Sequence, residues 1–153
     1  MTRSRAATLT LVRRIPAAML RRPRTHGAWS IRDVLVHIAA WEAEGARRLA
    51  LIARGRGDRI VWYDTTAELD AFNARVVRAS RGLSVRAVLG RLAAVRARLV
   101  AELRRLPPSA LGDPAHALPV TRWLREFAWT HETEHRRAIR AGRRGACSRE
   151  SRA

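Results

Sequence analysis

The sequence contains one cysteine, Cys147, which lies in a C-terminal stretch rich in Arg, Gly and Ser. A single cysteine excludes an internal disulfide, so the chain differs from the small secreted proteins that disulfides hold together. Long apolar runs are also missing, and none approaches the roughly 20 residues that a membrane-spanning helix needs. We therefore expect a cytoplasmic protein in a reduced compartment, without a membrane partner.

Acidic residues are scarce, and lysine and glutamine do not occur at all. The chain has 31 basic residues, all of them Arg, against 13 acidic ones, which gives a formal net charge of +18. Such a charge normally indicates a nucleic acid or another anionic surface as partner. Here the arginines are spread along every segment among Ala, Leu and Val at helical spacing. This pattern favours exposed helix faces, so we expect at most a non-specific, salt-sensitive affinity for nucleic acid.

Alternating strand patterns are absent, whereas apolar residues recur three and four residues apart in several segments. The spacing predicts helices at residues 6–14, 30–54, 65–82, 84–107 and 119–142, and Pro16 keeps the first one short. At 153 residues and 47% apolar composition, the chain is predicted to form one all-α domain, an antiparallel-type four-helix bundle. The division that we expect is a short N-terminal helix or arm at 1–24, the bundle at 25–142 and a disordered Arg-rich tail at 143–153.

The stretch His131-Glu132-Thr133-Glu134-His135 has the H-E-x-x-H pattern of zinc proteases. Histidines four residues apart lie on one face of a helix and can reach one metal ion together. A zinc protease also needs a third ligand, commonly a Glu on a later helix or a His that follows a glycine. No histidine follows this stretch, Ala138 stands in place of the glycine, and Glu150 is the only later acid. A zinc peptidase is therefore the less favoured interpretation, and the third ligand must come from elsewhere.

His37 is the candidate third ligand, because it lies beside the apolar seam of the predicted long helix at 30–54. A single histidine in such a place is more often a core residue, but the histidine pair on the last helix reverses that preference. If the two helices pack together, three imidazoles converge and leave room on a metal ion for water or substrate. His26 and His116 lie in predicted loops and are not assigned as ligands.

Acidic and aromatic neighbours complete the candidate site. Glu42 occupies a core-like position, where it orients a ligand or shuttles a proton; alternatively, its carboxylate extends out to solvent or pairs with an arginine. Trp41 walls a substrate pocket or packs in the core, and Asp33, one turn before the histidine of the same helix, is a candidate to orient a ligand. Glu132 and Glu134 are turned away from the histidine face by about 100° per residue, which predicts supporting or surface groups.

Several stretches of the chain resemble the DinB-like (YfiT-related) superfamily. Residues 29–42 are similar to its second-helix motif W-[ST]-x-x-D-x-x-x-H-x-x-x-W-E. Residues 120–139, with Arg122-Trp123-Leu124 ahead of the histidine pair, are similar to its last helix. Residues 70–73 and 84–89 resemble the middle section of the ClbS/DfsB-like branch. The similarity as a whole spans about residues 25–142, which is most of the chain.

The resemblance implies a four-helix bundle that holds a divalent metal ion, often zinc or nickel, through His37, His131 and His135. The superfamily includes transferases and isomerases that use low-molecular-weight thiols such as mycothiol or bacillithiol, and its members often form homodimers. We therefore expect a metal- and thiol-dependent transferase or hydrolase that acts on small electrophilic molecules, as in stress response or detoxification. The competing hypothesis is a non-enzymatic protective module that binds nucleic acid or a small molecule and has a vestigial metal site.

Overall fold

The structure, a computed structural model, describes residues 2–23, 29–112 and 119–150, and within these ranges it contains helices and no β-strand. The α-helices are α1 Thr2–Arg13, α2 Ala17–Arg21, α3 Ile31–Ile52, α4 Thr66–Ala79, α5 Val85–Arg105, α6 Val120–Arg125 and α7 His131–Glu150. A π-helical turn, Glu126–Thr130, joins α6 to α7. Among the described residues, no helix is long and apolar enough to cross a membrane. The prediction of an all-α bundle is confirmed.

Three of the long helices begin at N-caps that are evident in the sequence. The Ser30 hydroxyl accepts a hydrogen bond from the Asp33 N–H, and the Asp33 carboxylate accepts one from the Ser30 N–H, both at 3.1 Å. Thr65 and Glu68 form the same reciprocal pair at the start of α4, and the Ser84 hydroxyl caps α5. Each cap satisfies backbone N–H groups that the first turn of a helix leaves without partners.

Helix α3 is the central element of the bundle, and nearly all of its residues are buried. It packs against α2, α4, α5 and α7. One part of the apolar core surrounds Val34, Leu35 and Leu92 and includes residues of α1, α2 and α7. A second part surrounds Leu49 and Leu99 and includes residues of α6, and a third packs α3 against α4. Side chains on most of the circumference of α3 therefore have neighbours from other helices.

Helix α3 runs antiparallel to the helix formed by α6, the π turn and α7. Residues that come later in α3 meet residues that come earlier in the other helix. The contact pairs are His37 with His131, Trp41 with Phe127, and Gly45 with Trp123. This arrangement matches the antiparallel-type bundle that the sequence predicts.

The N-terminal segment is part of the bundle. Pro16 separates α1 from α2, as its fixed φ angle and missing N–H predict. Helix α1 packs against α7, where the Arg136 guanidinium donates to the Ser4 carbonyl at 3.0 Å. The first residues of the chain therefore contact the helix that carries two of the candidate ligands.

The last helix is longer than the sequence predicts. It does not end at Gly142 but continues to Glu150, so residues 143–150 of the predicted disordered tail are helical. A glycine inside a helix costs roughly 1 kcal/mol relative to alanine, which does not by itself end the helix. Arginine and alanine, both good helix formers, make up half of that stretch. Residues 151–153 lie outside the described part of the chain.

Gly45 allows the last helix to approach α3 closely. A Cβ atom built on Gly45 would lie 3.3 Å from Leu99 Cδ1 and 3.4 Å from Phe127 Cδ2. We expect Gly45→Leu to lower the free energy of unfolding by about 1–3 kcal/mol, because a leucine side chain cannot enter this contact without displacing its neighbours. Denaturant unfolding followed by circular dichroism measures the effect.

Gly90→Leu is the matched control. Gly90 lies in the interior of α5, and a Cβ atom built there meets no atom within 4 Å. We expect this variant to gain up to about 1 kcal/mol, because leucine is the better helix former. Equal effects of the two substitutions would contradict the close approach at Gly45.

Candidate metal centre

Three histidine side chains from two helices converge at one point. His37 lies in the second turn of α3, His131 is the first residue of α7, and His135 follows one turn later. The His131 Nε2 atom is 2.7 Å from His37 Nε2 and 3.0 Å from His135 Nε2. Ligand atoms of all three lie within 4.8 Å of one another, so the histidines could hold one metal ion. His26 and His116 lie outside the described residues.

The contacts of the His131 Nε2 atom fit a shared cation better than shared protons. An imidazole nitrogen has one in-plane position, which carries either a hydrogen or a lone pair. Because His131 Nε2 contacts two other ring nitrogens, a proton can complete at most one of these contacts as a hydrogen bond. A cation can accept all three lone pairs at once. The donor set therefore fits a divalent metal that takes imidazole ligands, such as zinc or nickel.

His131 is uncharged at neutral pH. Burial, and to a smaller extent the charge of the neighbouring His135, lower the pKa of the His131 imidazole from 6.5 to about 3. A histidine must be neutral to bind a metal ion. His131 therefore already has the protonation state of a ligand throughout the physiological range.

The π-helical turn directly precedes His131. Such a turn holds one more residue than an α-helical turn, and it occurs frequently at functional sites. Trp123 and Leu124 are buried before the turn, and Ala128 and Glu132 are buried within and after it. The turn therefore changes the phase of the helix between the aromatic residues of α6 and the histidines of α7. The apolar spacing of the sequence continues through this segment and does not indicate the turn.

Glu132, the neighbour of His131, belongs to a buried cluster of four charged side chains with Arg5, Glu42 and Arg96. Arg5 Nη2 donates to Glu42 Oε1 at 2.6 Å, and Arg5 Nε lies 3.1 Å from Glu132 Oε1. Arg96 Nη2 donates to Glu132 Oε2 at 2.9 Å and also to Glu42 Oε1. The side chains are at most 7% exposed, and their charges sum to zero. This ionic cluster ties α1, α3 and α5 to α7.

The ionic cluster defines the surroundings of both candidate glutamates. Of the possibilities that the sequence leaves open for Glu42, the contacts match pairing with arginine. Glu132 is turned into the core toward the same guanidinium groups, so its contacts offer no support for a protease general base. Glu134, by contrast, is exposed. The arginine partners could not be picked out from the sequence, because arginines occur on every predicted helix face.

Asp33 and Trp41 have different surroundings. The Asp33 carboxylate accepts hydrogen bonds from the Ser30 hydroxyl at 2.7 Å and from Arg32 Nη1 at 2.9 Å, so it belongs to the start of α3. The Trp41 indole N–H donates to Asn73 Oδ1 at 3.0 Å, which fixes the ring. Trp41 forms part of the wall of a cavity. This is the location expected if it walls a substrate pocket, which is one of the two roles that the sequence leaves open.

The cavity has a volume of about 430 Å³ and includes His37 and His131 in its wall. Its lining is mainly aromatic, with a few charged groups. The other lining residues are Trp41, Arg48, Trp62, Tyr63, Leu69, Asn73, Arg122, Trp123, Glu126, Phe127 and Glu134. Trp62 and Tyr63, from the connection between α3 and α4, were not predicted as site residues. The sequence did contain a signal for them, because two adjacent large aromatic residues in a connection between helices generally pack against other parts of the protein.

The chain is a helical bundle in which three histidines from two helices converge beside an aromatic cavity. These features place it among candidate metal-binding proteins. The chain belongs to the DinB superfamily, whose family model matches residues 1–139. This match confirms the superfamily that residues 29–42 and 120–139 predict, whereas the ClbS/DfsB-like branch remains a prediction. No curated protein and no solved structure matches the sequence.

Proposed function

We propose that the protein is a metal-dependent transferase or hydrolase that joins a low-molecular-weight thiol, or water, to a small electrophilic molecule. The metal ion is zinc or nickel, and its ligands are His37, His131 and His135. The observation that carries the proposal is the convergence of the three imidazoles within 4.8 Å, with those of His37 and His131 in the wall of a cavity. Three protein ligands leave coordination positions open for a reactant.

The chain's own residues hold the reactants. A bound divalent ion lowers the pKa of a coordinated thiol or water and so supplies a nucleophile at neutral pH. The neutral His131 ring needs no proton removed before it serves as a ligand. Trp41 and Phe127, whose ring centroids are 5.1 Å apart, form an apolar wall beside the histidines. This wall favours an apolar substrate and excludes water from one side of the reacting atoms.

The proposal extends to the place of the chain within its superfamily. Residues 70–73 and 84–89 support the ClbS/DfsB-like branch, whose members act on electrophilic molecules. None of the described residues that line the cavity is a cysteine. The thiol is therefore a separate small molecule, which suits a reduced, cytoplasmic compartment.

The test is a coupling assay with 1-chloro-2,4-dinitrobenzene and a low-molecular-weight thiol, either bacillithiol or N-acetylcysteine. In the reaction the thiol sulfur forms a C–S bond, the C–Cl bond breaks, chloride leaves and the thiol proton goes to the buffer. We expect zinc- or nickel-loaded protein to accelerate coupling at least about tenfold over metal-free protein, since each tenfold corresponds to about 1.4 kcal/mol of barrier. The rate is read from the absorbance of the dinitrophenyl thioether.

His131→Ala, loaded in the same way, should be no faster than the metal-free protein. His26→Ala removes a histidine outside the trio and should keep the full rate. If metal-loaded protein accelerates neither thiol coupling nor hydrolysis of the probe, the catalytic proposal is wrong and the chain is a binding module.

A further inference from the structure

Arg48 is a buried cation in the wall of the same cavity that His37 and His131 line. Its side chain is 2% exposed. It lies eleven residues after His37 on α3. Eleven residues make almost three full turns, so the two side chains leave the helix within about 20° of the same direction and about 16 Å apart along its axis. Trp41 lies on the same stripe between them. One face of α3 therefore presents a candidate metal ligand, an aromatic ring and a guanidinium group to one cavity.

The charge of Arg48 is only partly balanced by the protein. Its Nε donates to Glu44 Oε1 at 3.0 Å. Glu44 also binds Arg47 through both oxygens, at 2.7 and 2.8 Å. One carboxylate thus serves two guanidinium groups, and the Arg47 side chain is 43% exposed whereas Arg48 is buried. A net positive charge remains at the cavity wall, where burial makes an unbalanced charge costly.

Hydrogen-bond donors are also available at this end of the cavity. Besides Glu44, Arg48 donates to the Val61 carbonyl at 3.2 Å, so three of its five N–H groups have no acceptor among the described residues. The buried Trp123 indole N–H has no acceptor within the described part of the chain. Both residues line the cavity. An acceptor group on a ligand would satisfy these donors.

The surroundings of the guanidinium are aromatic. The Arg48 Cζ atom lies 4.4 Å from the centroid of the Trp62 ring and 5.0 Å from that of Phe127. These rings orient the guanidinium plane and offer a flat apolar surface next to it. The charged residues at the rim are Arg122 and Glu126 on this side and Glu134 on the side of the histidines, all exposed. Arginine therefore predominates at the end away from the histidines.

We infer that the cavity binds a flat apolar carboxylic acid, with its carboxylate on Arg48 and its apolar body against Trp41 and Phe127. A guanidinium matches a carboxylate with two parallel hydrogen bonds, which a neutral group cannot reproduce. The opposite end of the ligand then lies beside the histidines. This assignment rests on the proposed function, because it names the class of substrate for which the metal centre would supply the nucleophile.

The experiment is isothermal titration calorimetry of the metal-free, full-length protein with naphthalene-2-carboxylate and, separately, naphthalene-2-carboxamide. Removing the metal ensures that a carboxylate cannot gain affinity by binding the ion. We expect the wild type to bind the carboxylate at least about tenfold more tightly than the carboxamide, because hydrogen bonds to a charged acceptor are stronger than those to a neutral one. Arg48→Met should abolish that preference and leave carboxamide binding unchanged.

Arg98→Met is the control, because Arg98 is an exposed arginine of α5 that does not line the cavity, and its removal leaves the sharing of Glu44 between Arg47 and Arg48 unchanged. It should keep the preference. Arg48→Lys retains the charge without the forked geometry and should lose several-fold in carboxylate affinity, which provides a test if Arg48→Met does not fold. Equal binding of the two probes by the wild type, binding of neither, or a preference that survives in Arg48→Met would overturn the inference.

The two proposals fail in distinguishable ways. A carboxylate preference without metal binding by the histidine trio would remove the catalytic proposal and leave a carboxylate-binding cavity. Metal binding without a carboxylate preference would remove the assignment to Arg48 and leave the metal centre in place.

Discussion

Replacement of His131 by alanine is expected to remove the metal ion from the protein. Protein prepared without an affinity tag, loaded with zinc or nickel and then desalted, should carry roughly one equivalent, and His131→Ala less than about a tenth. His131 is the decisive position because its Nε2 atom contacts both other ligand nitrogens, and its loss leaves two histidines from different helices. Elemental analysis by mass spectrometry measures the ratio of metal to protein.

His26→Ala is the matched control for this measurement, since it also removes one histidine but leaves His37, His131 and His135 intact. It should retain the wild-type metal content. His37→Ala should behave like His131→Ala if the third ligand comes from α3, and full occupancy in that variant would reduce the site to the pair on α7. If wild-type protein carries less than about a tenth of an equivalent of metal, the prediction of a metal centre is wrong.

Replacement of Arg96 by methionine is expected to lower the free energy of unfolding by about 3–5 kcal/mol, the cost of leaving buried charges without their partner. Arg96 donates to both Glu42 and Glu132 and also to the Ala128 carbonyl at 3.1 Å. Without it, Arg5 alone would face two fully buried carboxylates. Methionine keeps most of the apolar stem, so the loss reports the missing charge and hydrogen bonds. Denaturant unfolding provides the measurement.

Arg98→Met is the control, because Arg98 is an exposed residue of the same helix. It should change the free energy of unfolding by no more than about 0.5 kcal/mol. A loss for Arg96→Met as small as that of the control would mean that the cluster is hydrated or rearranged in solution. In that case the link between α5 and α7 would not depend on ion pairs.

Much of the fold could be predicted from local patterns. Ser30 and Thr65, each followed three residues later by an acid, mark helix starts, and apolar spacing carries each helix to its end. These signals are local, because a cap satisfies N–H groups within one turn. The end of α7 was missed because Gly142 is a weak helix breaker, and the π turn was missed because it leaves the apolar spacing intact.

The candidate site could be predicted only where its residues are related by helical spacing or by a motif. His131 and His135 lie one turn apart, and His37 occupies a fixed place in the motif at residues 29–42. The partners of Glu42 and the role of Arg48 depend on how helices far apart in sequence pack together. Neither spacing nor composition contains that information when arginines occupy every predicted helix face.

The position of Glu132 illustrates the same limit. Helical geometry turns Glu132 away from the histidine face, as its place in the sequence predicts, but geometry alone does not say what lies on the other side. In this bundle α1 and α5 cover that side, so a residue that could have met water is completely buried.

The five-residue stretch from His131 to His135 contributes to two separate parts of the structure, the histidine trio and the ionic cluster. Its two histidines converge with His37 beside the cavity, while its first glutamate belongs to the ionic cluster that links α1, α3 and α5 to α7. By its H-E-x-x-H pattern alone, the sequence would be classed with the zinc peptidases. Proteins that share this pattern need not share a reaction. Here the glutamate of the pattern is accounted for by its ion pairs with Arg5 and Arg96, which hold helices together and require no part in a reaction.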